Sequence, residues 1–163
     1  MKKYRIKFLT IFIVGILILT GCSSNSKDTS GDSDKVFKIG ISQLIEHLAL
    51  DEARQGFEDG LKEYGVNAEI EYKNAQGDIA NTISIAEKFV KDDVDLIFAI
   101  ATPAAQSAKQ VTSDIPILFS AVTDPVKAEI VDDWDDVGGN ATGTSDMAPT
   151  ASQLKMFKEI DPT

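Results

Sequence analysis

The sequence predicts an α/β fold with a doubly wound parallel sheet, and three observations carry that expectation. Two continuous apolar runs, Leu96-Ile-Phe-Ala-Ile-Ala101 and Ile117-Leu-Phe-Ser-Ala-Val122, have the uniform character of strands covered on both faces. Segments with apolar residues three and four apart stand between the strand-like runs. The alternation of strand and helix then implies parallel strands joined by right-handed crossovers.

The chain opens with Lys2, Lys3, Arg5 and Lys7, followed by an apolar run from Phe8 to Leu19. A basic head and an apolar core of this length form the layout of a secretory signal, and the run is short for a spanning helix. Leu19-Thr20-Gly21-Cys22 follows as a small-residue cleavage site ending in cysteine. It resembles the bacterial lipobox, which implies cleavage after residue 21 and diacylglyceryl modification of the Cys22 thiol. Two acyl chains give stable anchoring where one is marginal. Cys22 is the one cysteine of the chain, so no internal disulfide can form. Residues 23–34 hold no apolar side chain and read, with Cys22, as a flexible tether spanning roughly 20 Å.

Folded sequence is predicted from residue 35. Val36-Phe-Lys-Ile-Gly-Ile-Ser42 reads as a strand. Leu50, Ala53, Phe57, Leu61 and Tyr64 form one face of an amphipathic helix ended by Gly65. Gly56 and Gly60, one turn apart, are expected to bring that helix close to the sheet. Ala68-Glu-Ile-Glu-Tyr72 alternates like a half-exposed strand. Asp78 is a cap for a second helix, with Ile79, Ile83, Ala86 and Val90 along one face. After the first apolar run, Thr102-Pro103 reads as a helix start with a hydroxyl cap and proline at the first helical position. The second run ends at Thr123-Asp124-Pro125, and residues 125–131 read as a short helix.

Beyond Val131 the signals weaken. Asp132-Asp133-Trp134-Asp135-Asp136 lacks the alternating oxygens and the glycine of a calcium loop. It is expected to be a solvated turn with Trp134 folded onto the domain. Gly143-Thr-Ser-Asp146 marks the end of another strand. Gln153, Leu154, Met156, Phe157 and Ile160 open a further helix.

Open parallel sheets bind ligands in the crevice beyond the carboxyl ends of their strands. The residues predicted there are Gln43 and His47 after the first strand, Thr102, Pro103 and Ala104 after the third, and Thr123 and Asp124 after the fourth. Ser145 joins them after the last. For Thr102 two readings stand, a plain helix cap or a hydroxyl beside open backbone N–H groups that suit a carboxylate. For Asp124 they are an Asp-Pro turn or a counter-charge for an ammonium group. His47 is either a cap or part of the rim.

Composition narrows the function classes. The 163 residues include 16 basic and 26 acidic ones, a net charge of −10. The predicted signal takes four of the basic residues and none of the acidic ones, leaving −14 after cleavage. That balance argues against nucleic acid or an anionic lipid surface as a partner. One histidine and a lipid-committed cysteine make neither a Cys–His pair nor a metal cluster. Gly138-Gly-Asn-Ala-Thr-Gly143 lacks the lysine of a phosphate loop. No cofactor, metal or catalytic residue is predicted.

Four ordered stretches carry a resemblance: Lys38-Ile-Gly-Ile-Ser-Gln-Leu-Ile-Glu-His47, Ala101-Thr-Pro-Ala-Ala-Gln106, Phe119-Ser-Ala-Val-Thr-Asp-Pro125 and Asn140-Ala-Thr-Gly-Thr-Ser-Asp146. They look like the substrate-binding lipoproteins of ABC transporters, in the subgroup described as tryptophan- or tyrosine-type. The resemblance runs from about Val36 to Thr163. It implies a type I periplasmic-binding-protein-like fold, in which a small ligand is trapped between two lobes by hinge closure. Residues 35–146 would be the first lobe and residues 147–163 the start of the second. The chain would then hold half a cleft, as a fragment of a longer product or a truncated one, with the fragment expected. The implied partners are a small ligand, an amino acid and aromatic by resemblance, an ABC permease, and the extracytoplasmic face of the membrane through the lipid anchor. By that analogy Thr102 and the amides after it take the ligand's carboxylate and Asp124 its ammonium. The alternatives are a lipid-anchored sensor without a transport role and a surface α/β hydrolase, for which His47 would be the histidine base.

Overall fold

The computed structural model describes residues 35–161; Cys22, the signal segment and the tether lie outside the described residues. The order is β1 (Phe37–Gln43), α1 (Leu48–Glu63), β2 (Ala68–Asn74), α2 (Ile79–Lys91), β3 (Leu96–Ile100), α3 (Thr102–Val111), β4 (Ile117–Val122), β5 (Ala141–Ser145) and α4 (Thr150–Ile160). The five strands form one sheet in the order β2-β1-β3-β4-β5, and every neighbouring pair is parallel. This is the predicted doubly wound α/β sheet. The chain reverses its direction of winding between β1 and β3, so α1 covers one face while α2 and α3 cover the other.

The two apolar runs form β3 and β4, whose side chains feed both cores. On the α1 face, Ile39, Ile41, Phe98 and Ile100 meet Leu50, Phe57 and Leu61. The Phe57 and Phe98 rings stack with centroids 4.2 Å apart. On the opposite face, Phe89, Ile97, Ala99, Ile117, Phe119 and Val122 pack with Ala104, Ala105 and Ala108 of α3. Fully buried side chains of the size of Phe89 or Ile97 each contribute about 1.5–3 kcal/mol.

Several local expectations need correction. Gly56 and Gly60 do not meet the sheet: a Cβ at either would find open space. Phe57 and Leu61 occupy the sheet-facing side of α1, which turns the two glycines outward. The close approach lies instead at Gly40, where a Cβ would sit 2.6 Å from the Phe89 ring. That contact rotates α2, whose buried residues are Thr82, Ala86 and Phe89, while Ile79 is exposed. Tyr64 is also exposed, at the C-cap of α1 just before Gly65 turns into positive φ. Asp78 does cap α2, accepting from the Ala80 N–H at 2.8 Å.

Residues 125–131 form a series of turns rather than a helix. The Ala128 N–H reaches the Asp124 carbonyl, yet Ile130 and Val131 both return to the Pro125 carbonyl and Glu129 has φ +57°. Ile130 and Val131 thereby enter the core, where a continued helix would have swung them past it. Trp134 keeps about half its surface exposed; its other side lines a groove of 110 Å³ with Phe119, Pro125 and Ser145. β5 pairs with β4 through an irregularity between Phe119 and Val122. Asn140 fixes its start by donating to the Thr112 and Ile115 carbonyls. α4 begins at Thr150, and Leu154, Met156, Phe157 and Ile160 on it are exposed.

Candidate functional site

Because all five strands are parallel, the carboxyl ends of β1, β3, β4 and β5 share one edge of the sheet. Backbone hydrogen bonds tie those ends together. Leu44 N–H donates to Ile100 O at 3.3 Å, Ala101 N–H to Ser120 O at 3.0 Å, and Asp146 N–H to Val122 O at 3.3 Å. The winding reversal lies between the first two of these strands, where a crevice opens in folds of this kind. The predicted residues therefore sit on one edge, though not all in the same manner.

Thr102 is not the helix cap. Ala101 holds that position, with φ 83° and ψ 153° and no side-chain bond to the first turn; Thr102 and Pro103 are the first two helical residues. Proline brings no N–H, and the Ala105 N–H is taken by the Ala101 carbonyl at 3.2 Å. Of the remaining first-turn amides, Ala104 lies inside the core and half-buried Thr102 stands at the positive end of the α3 dipole. The Thr102 hydroxyl adds a second polar group there. Ala104 is fully buried, backbone included, so it presents no group to the edge.

At the end of β4, Thr123 is exposed and its carbonyl accepts from the Ser145 hydroxyl at 2.7 Å, which joins the ends of β4 and β5. The same Ser145 oxygen accepts from the Met147 N–H at 3.0 Å. The Asp124 carboxylate accepts from the Lys127 N–H at 3.1 Å and pairs with the Lys127 ammonium at 3.0 Å. The Lys127 backbone amide first, and the ammonium with it, hold the Asp124 carboxyl below the usual carboxylate range. Asp124 is therefore both a turn cap and a standing negative charge on this edge.

The β1 end divides in two. His47 is exposed and caps α1, its Nδ1 accepting from the Ala49 N–H at 3.3 Å. Gln43 lies beneath the rim, wholly buried on the α1 side of β1. Its Nε2 donates to the Ile45 carbonyl at 2.9 Å and to the Asp51 carboxylate at 2.8 Å. Asp51 was not predicted: it stands eight residues from Gln43, on the first turn of α1, and no spacing rule connects the two. Among the described residues no group of three or more His, Cys, Asp and Glu side chains could hold a metal ion.

The edge thus carries the Thr102 amide and hydroxyl at a helix start and the Asp124 carboxylate, groups of opposite character. Three known proteins resemble the chain over nearly all of its folded part. A tyrosine-binding protein of Clostridioides difficile strain R20291 is 45% identical, over 96% of this chain and 49% of its own length. A substrate-binding protein with adhesive properties from Clostridium difficile, solved in a ligand-free open form, superposes with a TM-score of 0.72 at 47% identity, over 78% of this chain and 44% of its own. An ABC domain from Streptococcus pneumonia in complex with L-Trp gives a TM-score of 0.74 at 37% identity, over 78% of this chain and 44% of its own. The chain spans about half the length of these relatives, and its fold is the first lobe of a type I periplasmic-binding-protein-like fold. The ABC transporter substrate binding protein family matches residues 38–163, nearly all of the folded sequence, and the chain belongs to that family.

Proposed function

We propose that this chain is the first lobe of an extracytoplasmic solute-binding lipoprotein that delivers an amino acid, aromatic by kinship, to an ABC importer. The observation that carries this reading is the uncapped start of α3 facing the same edge as Asp124. In the proposed complex the ligand carboxylate accepts from the Thr102 amide and hydroxyl, and the Asp124 carboxylate receives the ammonium. His47, Pro103, Thr123 and Ser145 shape the rim, and a second lobe closes over the ligand. Relatives that bind tyrosine and L-Trp support the ligand class. Cys22 carries the lipid that holds the receptor at the membrane.

The test is titration of the full-length gene product with L-tyrosine and L-tryptophan. Saturable binding is expected, with ligand at a hundredfold excess over Kd adding about 2.7 kcal/mol of stability. A product that binds none of the common amino acids overturns the reading. Cys22→Ser is expected to release the protein from membranes and to remove a diacylglyceryl increment from its intact mass. Unchanged membrane association and mass would withdraw the anchor.

A further inference from the structure

The β1–α1 loop is held from below by a buried bracket. Gln43 Nε2 lies between two acceptors, the Ile45 carbonyl at 2.9 Å and Asp51 Oδ1 at 2.8 Å. Those partners set the amide orientation, since the reversed amide would place an oxygen against two oxygens. Both donors are spent, and Gln43 Oε1 is buried with no hydrogen-bond partner. An orphaned buried acceptor is destabilising, because its lost hydration is not replaced. An apolar side chain of the same length would avoid that cost while filling the same space.

What the amide does with its donors is join the first residues of the loop to the first turn of α1. One turn further along α1, Arg54 lies over the Tyr72 ring of β2 at 4.7 Å and pairs with Glu58 at 2.8 Å, which ties the start of α1 to the sheet. The loop so held runs through residues 44–47, ends at the His47 cap, and sits at the winding reversal beside Ala101 and Thr102.

We propose that Gln43 and Asp51 are positioning residues for the ligand cleft: the Ile45–Gln43–Asp51 bracket holds the 44–47 loop in its ligand-competent place without either side chain touching ligand. This rests on the receptor reading above. It reassigns Gln43 from the rim to the support beneath it, and gives Asp51 a role that its position on the first turn of α1 does not announce.

The test compares the full-length wild type with Gln43→Met, Asp51→Ala and Asp51→Asn. Each is titrated with L-tryptophan and L-tyrosine, melted, and followed by amide hydrogen exchange over residues 44–50 without ligand. Gln43→Met and Asp51→Ala are expected to lose about tenfold or more in affinity and to exchange faster over that segment. Gln43→Met is expected to melt within about 3 °C of the wild type, because it removes the orphaned oxygen along with the bracket. Asp51→Asn keeps an oxygen acceptor for Nε2 and should stay within about threefold of the wild type, a rescue that mere loss of fold would not produce. Variants that bind and exchange like a binding wild type overturn the proposal, as do losses shared equally by Asp51→Asn and Asp51→Ala. A wild type that binds neither amino acid is a different result, and overturns the receptor reading itself.

Discussion

Asp124 and Lys127 form an ion pair, Oδ2 to Nζ at 3.0 Å, in which the lysine is largely exposed and the carboxylate largely covered. An incoming ammonium group would therefore displace one that is already present. The lysine is held weakly, since an exposed partner is screened by water and salt. Asp124→Asn keeps an oxygen able to cap the turn at the Lys127 N–H and removes the charge. It is expected to weaken an amino-acid ligand by about tenfold or more, near 1.4 kcal/mol, in a calorimetric titration. Lys127→Ala, which removes only the competitor, should leave affinity unchanged or improve it. Equal affinity in wild type and Asp124→Asn would confine Asp124 to the turn.

Acid should loosen the domain in a defined direction. The carboxyls of Asp59, Glu71, Asp92, Asp95 and Asp124 all lie below their usual range, held there chiefly by hydrogen bonds from lysine side chains or backbone amides. A carboxyl depressed in the folded state lends stability above its unfolded pKa and loses it as pH falls through the folded value. Melting temperature is therefore expected to hold from neutral pH down to about 5 and to fall below about 4, where unfolded carboxyls begin to bind protons. A series of melts across that range, at low and high salt, would show it. A melting temperature that rises on acidification below pH 4 would contradict the assignment.

Gly40→Ala tests the close approach of α2. The new methyl would meet the Phe89 ring at 2.6 Å, within van der Waals radii, and Phe89 is itself fully buried. Overpacking of this kind costs about 1–3 kcal/mol, readable by denaturant titration. Gly56→Ala on exposed α1 should do the opposite, adding a few tenths to about 1 kcal/mol through helix propensity.

The fold was legible because its strongest signals are local. The runs at residues 96–101 and 117–122 are apolar throughout, and nothing but a strand covered on both faces suits them at that length. The gathering of Thr102, Asp124 and Ser145 on one edge followed from parallelism alone. The misreadings have a different cause: each turned on a partner or a backbone conformation that no local pattern announces. Which side of α2 turns inward was decided by the gap at Gly40, some fifty residues upstream of Phe89. The cap of α3 was hidden because a Thr-Pro pair imitates a capped start, while a backbone at φ 83° on an alanine leaves no mark in the sequence. The link between Gln43 and Asp51 spans a loop and a helix turn, a separation without any periodicity.

Ala101 invites a substitution that should stabilise. Its φ of 83° and ψ of 153° fall in a region open essentially to glycine, at a cost of about 1–3 kcal/mol. Ala101→Gly removes that strain and adds backbone freedom worth about 0.5–1 kcal/mol to the unfolded chain. The net expectation is a higher denaturation midpoint. A lower midpoint would mean that the buried methyl contributes more by packing than the backbone loses by strain.

The buried hydroxyls of Thr82 and Ser107 lie 2.7 Å apart and bridge α2 to α3. Thr82 also donates to the Ile79 carbonyl at 2.6 Å, so its one proton is used and Ser107 must be the donor between them. Thr82→Val strands that donor and should cost about 1–3 kcal/mol, whereas Ser107→Ala should cost about 1. The double variant should lose less than the sum of the two, and a strictly additive cycle would rule out the shared bond.

The placement of β1 inside the sheet, between β2 and β3, governs when this domain can exist at all. Its neighbour β2 follows within the next thirty-odd residues, but its other neighbour, β3, is not complete until Ile100. A chain still lacking that segment has an interior strand with one edge bare and the Phe98 and Ile100 side chains missing from the α1 core. Pairings between segments so far apart close late and slowly. The domain should therefore assemble only after synthesis has passed Ile100, and a nascent chain stopped short of it should stay unfolded and open to proteases.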